Sequence, residues 1–200
     1  MPKEFYYHTI EKPALTEFTD RGSKFIAYVF PIADVLAFKE SLAQLKKEHP
    51  KASHHCFAYR IGYDKLVYRV SDDGEPSGSA GRPILGAIDS LQLTNVLAVV
   101  VRYFGGTLLG VPGLINAYKT SVQLAFQQTP ILKKPILSSI DLEFDYTVMN
   151  DVMRIVKQSN CVVINQDQGL FCTMKIGVSL EQFDSILNKI KDLRVVTIRE

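Results

Sequence analysis

Apolar and polar positions in the first two thirds of the chain predict strands and helices in mixed order. Alternating or continuous apolar residues predict strands over 25–30, 55–61, 66–70 and 96–103, and the last of these begins with an unbroken apolar run that indicates burial. Helical spacing of apolar residues predicts helices from Asp34, from Pro83 and from Gly113. Asp34 is a favourable N-cap, and Pro83 suits a first helical turn because its missing N–H has no partner there. We therefore expect an α+β layer fold.

The carboxyl-terminal part of the chain has a more regular pattern. Ile140, Leu142 and Phe144 alternate with acidic residues, which is the period of a half-buried strand. A helical stripe over 148–156 follows, then two strands around a turn, a second helical stripe over 183–190 and a last strand over 195–198. This βαββαβ order predicts a ferredoxin-like domain.

The segment Gln128–Ser139 separates the two patterns and has the composition of a linker. It contains Pro130 and Pro135 with a pair of lysines between them. The predicted fold class is therefore α+β with two domains. We place the first domain at 1–131, the linker at 132–138 and the ferredoxin-like domain at 139–200.

The composition is that of a globular protein, with 46% hydrophobic and 22% charged residues. The net charge of +2 divides into an excess of four positive charges over residues 1–136 and of two negative charges over residues 137–200. A nucleic-acid contact would therefore depend on a local basic patch rather than on bulk charge.

Other features of the sequence concern its surroundings in the cell. The longest apolar run, Val96–Val101, is shorter than the roughly 20 residues of a membrane span, so no membrane contact is expected. The start of the chain has acidic residues and lacks the apolar stretch of a secretory signal. The three cysteines are an odd number, which favours reduced thiols over a disulfide framework. These features predict a cytoplasmic protein.

Two glycine-rich loops carry the most distinctive chemistry of the chain. Ser71–Arg82 reads SDDGEPSGSAGR, with three acidic residues and three glycines, and Arg102–Gly110 reads RYFGGTLLG. Ordered loops with so little packing material are a common place for function. We expect the two loops to form one site.

Several enzyme motifs are approached in these segments without being completed. Gly105 and Gly110 have the glycine spacing of a P-loop, but Val and Pro follow where Lys and Ser or Thr are required. The residues around Ser79 do not satisfy the Gly-x-Ser-x-Gly pattern of a nucleophile elbow. His54, His55 and Cys56 are adjacent, so on a strand they alternate between faces and do not suit one zinc ion.

Ligand alternatives remain open at the loops. Asp72, Asp73 and Glu75 could hold a divalent cation, or they could serve only to stabilise a turn. Both loops lead into predicted helix N-termini, where a phosphate or other anion is favoured, and Arg82 and Arg102 would add positive charge. Arg102 could instead pair with a loop acid and tie the two loops together.

Four segments of this sequence together resemble the IMPACT family: 21–27, 53–60, 71–83 and 99–110, which read RGSKFIA, SHHCFAYR, SDDGEPSGSAGRP and VVVRYFGGTLLG. The resemblance spans nearly the whole chain, and its two-domain length is similar to that of bacterial members. It implies a first domain with the fold of the second domain of a small-subunit ribosomal protein. It also implies a second domain similar to a late domain of elongation factor G.

The resemblance implies a role in translation regulation, because eukaryotic relatives regulate translation. We expect a non-enzymatic protein that binds RNA, the ribosome or a translation factor, with no cofactor and no bound metal. The alternatives are a metal-dependent enzyme acting on a nucleotide or phosphorylated substrate, and a protein-interaction module. No catalytic residue is assigned, and of Tyr103 and Phe104 at most one can face the site. The expected functional surface consists of Lys24, His54, His55, Asp72, Asp73, Gly74, Glu75, Gly78, Gly81, Arg82, Arg102, Tyr103, Gly105 and Gly106.

Overall fold

The computed structural model describes residues 4–169, 171–193 and 195–199. Residues 7–134 form one compact unit, and the described residues of 4–6 and 135–199 form another. Most of the predicted linker, 132–138, is strand in the structure: 132–135 lie in a strand that pairs with one near the start of the chain, and 137–138 begin the first strand of the other unit's sheet.

The unit of residues 7–134 mixes strands and helices. In chain order its elements are β1 (Tyr6–Ile10), β2 (Ala14–Asp20), β3 (Ser23–Pro31), α1 (Val35–Glu48), β4 (His54–Ile61), β5 (Val67–Ser71), α2 (Gly81–Ser90), β6 (Val96–Tyr103), α3 (Gly110–Phe126) and β7 (Ile131–Pro135).

A five-stranded antiparallel sheet forms the middle of this unit, in the order β2-β3-β6-β4-β5. The central strand β6 is the apolar run predicted to be buried, and Val96–Val101 are fully buried. Helices α2 and α3 cover one face of the sheet and α1 covers the other. Since side chains on a strand alternate between faces, each strand contributes to both cores.

The helix boundaries follow from how their first amides are satisfied. Asp34 caps α1 as predicted, and its carboxylate accepts the N–H of Ala37 at 2.9 Å. Helix α3 begins at Gly110, three residues before the predicted start at Gly113. Pro112 fits inside its first turn because an amide there has no partner within the helix.

Strands β1 and β2 are missing from the sequence prediction. β1 pairs with β7 in a two-stranded sheet, and β2 is an edge strand beside β3. Along β2 the side chains alternate between half-buried and exposed, but Leu15 is exposed while Thr16 points inward. The apolar contrast that reveals a strand is therefore absent from its sequence.

The second unit has the predicted βαββαβ order. Its elements are β8 (Leu137–Phe144), a short 3-10 turn (Tyr146–Val148), α4 (Met149–Gln158), β9 (Val162–Gln168), β10 (Cys172–Ser179), α5 (Phe183–Lys191) and β11 (Val196–Arg199). The strands form an antiparallel sheet in the order β11-β8-β10-β9. Ile140, Leu142 and Phe144, which alternate with acids in the sequence, point into the core of this unit.

All three cysteines are unpaired, as the sequence predicts. None of the helices in the described part of the chain is both long and apolar enough to cross a membrane.

Candidate functional site

A buried ion pair joins the two glycine-rich loops. Arg102, the seventh residue of β6, donates from Nη1 to Glu75 Oε1 at 2.6 Å, and both side chains are almost inaccessible to solvent. This is the tie between loops that the sequence left as an alternative for Arg102. Because each charge has lost its water, each depends on the other for compensation.

Two further side chains hydrogen-bond to this pair, while Nε of Arg102 is buried without a partner in the described part of the chain. Tyr118, on α3, donates its hydroxyl to Glu75 Oε1 at 2.7 Å, and Arg102 Nη2 donates to the hydroxyl of Ser23 at 3.2 Å. Burial raises the pKa of Tyr118 above its usual range, so the phenol stays protonated and remains a donor to the carboxylate. The network therefore connects β3, β6, α3 and the loop that contains Glu75.

The thiol of Cys56 lies beside this network and, like the phenol of Tyr118, stays protonated. Its Sγ is 2.9 Å from the carbonyl oxygen of Asp72 and 3.3 Å from the hydroxyl of Tyr118. Burial raises the pKa of Cys56 well above its ordinary value. A buried thiol that stays protonated packs and donates but does not serve as a nucleophile.

The carboxylate of Asp72 accepts hydrogen bonds from backbone amides. Its two carboxylate oxygens accept N–H groups of Gly78, Ala80 and Gly81 at 2.8 to 3.0 Å, the last of these at the start of α2. Partial burial by itself would raise the pKa of Asp72, but the three amides and the charge of Arg82 outweigh it and lower the pKa. The carboxylate thus fills the N-terminus of α2, where the sequence predicted an anionic ligand.

Asp73, in the same loop, contacts the start of β4 instead. Its carboxylate accepts the backbone N–H of His55 at 2.7 Å, and its carbonyl oxygen is 2.8 Å from Nδ1 of His54. Since a carbonyl only accepts, Nδ1 of His54 carries the proton, and the other ring nitrogen faces Glu75 Oε1 at 3.8 Å. Burial lowers the pKa of His55, which favours its neutral form.

The three loop acids therefore do not converge. Asp72 binds the start of α2, Asp73 holds the first residues of β4, and Glu75 points to Arg102. Among the residues that the structure describes, no group of three or more His, Cys, Asp and Glu side chains is placed to hold a metal ion. The carboxylate cluster proposed as an alternative from the sequence is thus a set of three separate structural contacts.

Glycines in the two loops allow close backbone approach. A Cβ placed on Gly105 would lie 1.9 Å from the carbonyl carbon of Gly22, in the turn between β2 and β3. A Cβ on Gly81 would lie 2.8 Å from the amide nitrogen of Ser71. Gly74, Gly78 and Gly106 all adopt positive φ angles, which glycine reaches without strain.

A pocket of about 490 Å³ opens beside the ion pair. Glu75 and Arg102 form its polar end together with His54 and Ser53. Its other walls are apolar, and three of them are unusually open to solvent: Leu108 is 80% exposed, Phe104 49% and Val111 46%. The guanidinium of Arg102 lies 5.7 Å from the ring centre of Phe104, which is cation-π distance. We call this the loop pocket.

The sheet divides the residues predicted as one surface. His54 lies opposite Arg102 in the register and shares its face, towards α2 and α3. Lys24 lies opposite Tyr103 on the other face, where Tyr103 contacts His49 below α1 and Lys24 pairs with Glu17. His55 also belongs to that face. Lys24, His55 and Tyr103 are therefore outside the loop pocket, because adjacent strand positions point in opposite directions.

Several pocket residues were not identified from the sequence. Phe104, rather than Tyr103, is the aromatic residue that faces the site, and Tyr118 reaches it from α3. Phe104 is considered together with Tyr103 from the sequence but is not part of the expected surface; it lies two positions after Arg102, which favours the same face. Tyr118 gave only the helical spacing of a core residue. The others line the pocket or complete the network: Ser23, Ser53, Pro76, Leu108, Leu109, Val111 and Leu114.

Comparison with known proteins places this site within a described domain. Residues 21–126 match the family of the Impact N-terminal domain, a range that contains the loop pocket and its ion pair. The chain is 35% identical over 181 residues to an IMPACT family member of Haemophilus influenzae, with 88% of each chain covered. It is 33% identical over 174 residues to the Escherichia coli IMPACT family member YigZ, covering 86% of this chain and 85% of YigZ.

A solved structure shows the same architecture. A crystal structure of a hypothetical protein overlays with a TM-score of 0.79 at 28% sequence identity, covering 98% of this chain and 97% of the other. The class is therefore a two-domain protein of mixed α and β structure. The chain belongs to the IMPACT family.

The contact between Gly105 and Gly22 gives a prediction about stability. Gly105→Ala should lower the free energy of unfolding by about 2 kcal/mol or more, because the new Cβ overlaps backbone that has no room to move. Gly86→Ala is the matched control, since nothing lies within 4 Å of its Cβ and alanine favours a helix by up to about 1 kcal/mol. Urea unfolding of both variants measures this. Equal stability of Gly105→Ala and the wild type would contradict the contact.

The hydrogen bonds of Asp72 give a prediction about pH. Asp72→Asn should destabilise the protein by about 1 to 2 kcal/mol at pH 7, because the asparagine side chain has no charge and only one oxygen to accept the backbone N–H groups. The folded-state pKa of Asp72 is lowered, so its contribution is present above its ordinary pKa of about 4 and is lost as pH falls through the folded-state value. The difference from wild type should therefore shrink in acid.

Urea unfolding from about pH 7 to about pH 3 tests this, with Asp34→Asn as the matched control. Asp34 caps α1, where asparagine caps about as well as aspartate, so that change should cost little at any pH. A cost of Asp72→Asn that is the same at both ends of the pH range would be the contrary result.

Proposed function

We propose that this protein regulates translation as a non-enzymatic binding protein whose loop pocket holds an apolar side chain of a protein partner. The translation role is supported by membership of the IMPACT family, and the ribosomal-protein-like and elongation-factor-like domains implied by the resemblance agree with it. A cytoplasmic location agrees with the three unpaired cysteines.

One observation carries the choice of a protein partner. The rim of the loop pocket presents Leu108, Phe104 and Val111 to solvent, around a polar end that is already paired. Exposed apolar groups around a concave site are typical of protein interaction surfaces. A side chain entering this pocket would cover the rim and leave the ion pair undisturbed.

The chemistry of the pocket favours this partner over a phosphate. Arg102 donates from Nη1 to Glu75 and from Nη2 to Ser23, and the carboxylate of Glu75 neutralises its charge, which disfavours a phosphate at this end of the pocket. Asp72 occupies the amides at the start of α2. Two of the groups from which the sequence predicted an anionic ligand, Arg102 and the amides at the start of α2, are thus used within the protein, whereas Arg82 is exposed.

The same contacts argue against the enzyme alternative. The loop acids are separated, the thiol of Cys56 is buried and protonated, and the phenol of Tyr118 is held as a donor to Glu75. A general acid or base needs a proton that it can exchange near the operating pH. These groups instead make hydrogen bonds within the fold.

Leu108→Asp tests the pocket because Leu108 is 80% exposed and its replacement should not affect folding. Binding would be measured by biolayer interferometry against a panel of purified bacterial ribosomes and initiation, elongation and release factors. We expect one member of the panel to bind, and Leu108→Asp to weaken that binding about tenfold or more, since burying a leucine contributes about 1.5 to 3 kcal/mol.

Leu66→Asp is the matched control, because Leu66 is 76% exposed and lies outside the pocket. It should change the affinity less than about twofold. No binding by any member of the panel, or equal weakening by both variants, would contradict the proposed function.

A further inference from the structure

A second concavity, of about 430 Å³, lies on the other face of the sheet from the loop pocket. One wall is α1 and the other is β5 with the first residues after it. Lys39 and Lys46 are seven residues apart and so share a face of α1, and Arg69 projects towards them because it lies opposite Tyr59, on the α1 face of the sheet. We call this the basic groove. Its lining is Phe38, Lys39, Leu42, Ala43, Lys46, Phe57, Arg69, Ser71 and Asp73.

The groove has more positive than negative charge. Lys39, Lys46 and Arg69 are exposed at its rim, and Asp73 is the one acid in the lining. Asp73 already accepts the backbone N–H of His55 at 2.7 Å, and Lys46 Nζ is 3.9 Å from its other oxygen, at the outer limit of an ion pair. Neither Lys39 nor Arg69 has an ion-pair partner in the described part of the chain. The guanidinium of Arg69 is therefore open, unlike that of Arg102.

The floor of the groove is apolar. Phe38 and Phe57 are buried with ring centres 4.9 Å apart, and Leu42 extends this surface towards the rim. Cations at the rim can bind phosphate groups, and an apolar floor can contact the apolar faces of a base or sugar. A ligand that uses both has phosphates and organic rings in one chain.

We propose that the basic groove binds the phosphodiester backbone of single-stranded RNA. A single strand fits better than a duplex because an unstacked base can lie against Leu42 and Ala43, the part of the apolar lining that is accessible above the buried Phe38 and Phe57. Open arginine and lysine side chains recognise phosphate, and the arginine fork matches it in two hydrogen bonds. This site is separate from the loop pocket and does not depend on the protein partner proposed for it.

Fluorescence anisotropy with a fluorescein-labelled oligouridylate of about 12 nucleotides tests the proposal. Lys39→Ala with Arg69→Ala should raise Kd about tenfold at moderate salt. The slope of log Kd against log salt should fall by about 1.4, since each phosphate contact on a single strand contributes about 0.7. No measurable binding by the wild type at about 50 mM salt would overturn the proposal.

Lys119→Ala with Lys189→Ala is the matched control, because both lysines are exposed, lie outside the groove and change the net charge equally. It should change Kd less than about twofold. A loss equal to that of the groove variant would show attraction by bulk charge and overturn the site. Leu108→Asp should leave the RNA affinity unchanged, which separates this result from the test of the loop pocket.

Asp73→Asn provides a change in the opposite direction. Asp73 has a φ of 44°, a conformation that asparagine tolerates, and the amide oxygen can still accept the N–H of His55. Removing the one acid of the groove should lower Kd about two- to fivefold, because it repels phosphate. If Asp73 only supported the fold, its replacement would not tighten RNA binding. An unchanged or weaker affinity would count against the groove.

Competition identifies the source of the phosphate. Unlabelled oligouridylate should displace the probe, while polyglutamate of equal charge and millimolar inorganic phosphate should not. Displacement by polyglutamate would show a site for acidic peptides, and displacement by inorganic phosphate would show a site for the free anion. Either result would overturn the assignment to RNA.

Discussion

The buried pair of Glu75 and Arg102 is the interaction on which the site depends. Both charges are almost completely buried, and Tyr118 and Ser23 hydrogen-bond to the pair. A buried pair of this kind does not guarantee stability, since its desolvation offsets much of its attraction. What it provides is a unique arrangement, because either charge left alone would cost several kcal/mol. The loop of Glu75, the end of β6, the start of β3 and helix α3 are thereby held in one register.

The loops around this pair can be poor in packing material because polar contacts replace a local apolar core. Asp72 organises the chain from Gly78 to the start of α2, and Gly105 lies directly on Gly22. The rim beside these contacts exposes Leu108 and Phe104.

Much of the scaffold could be predicted from the sequence, whereas the arrangement of the site could not. The apolar run of β6 and the N-cap at Asp34 are local signals and agree with the structure. Strand β2 gave no signal because Leu15 faces solvent and Thr16 faces inward. The division of the predicted surface was partly accessible, since Arg102 and Tyr103 are adjacent on a strand and must point apart. The contact of Glu75 with Tyr118 was not, because 43 residues separate the two in the chain and only the packing of α3 brings them together.

A double-mutant cycle between Glu75 and Arg102 tests the central claim most directly. Glu75→Gln, Arg102→Met and the double variant would be compared with the wild type by urea unfolding. The account predicts that each single change costs about 3 to 5 kcal/mol and that the double change costs at least about 2 kcal/mol less than the two added together. Additive costs, within about 0.5 kcal/mol, would show that the two side chains are not coupled and would contradict it.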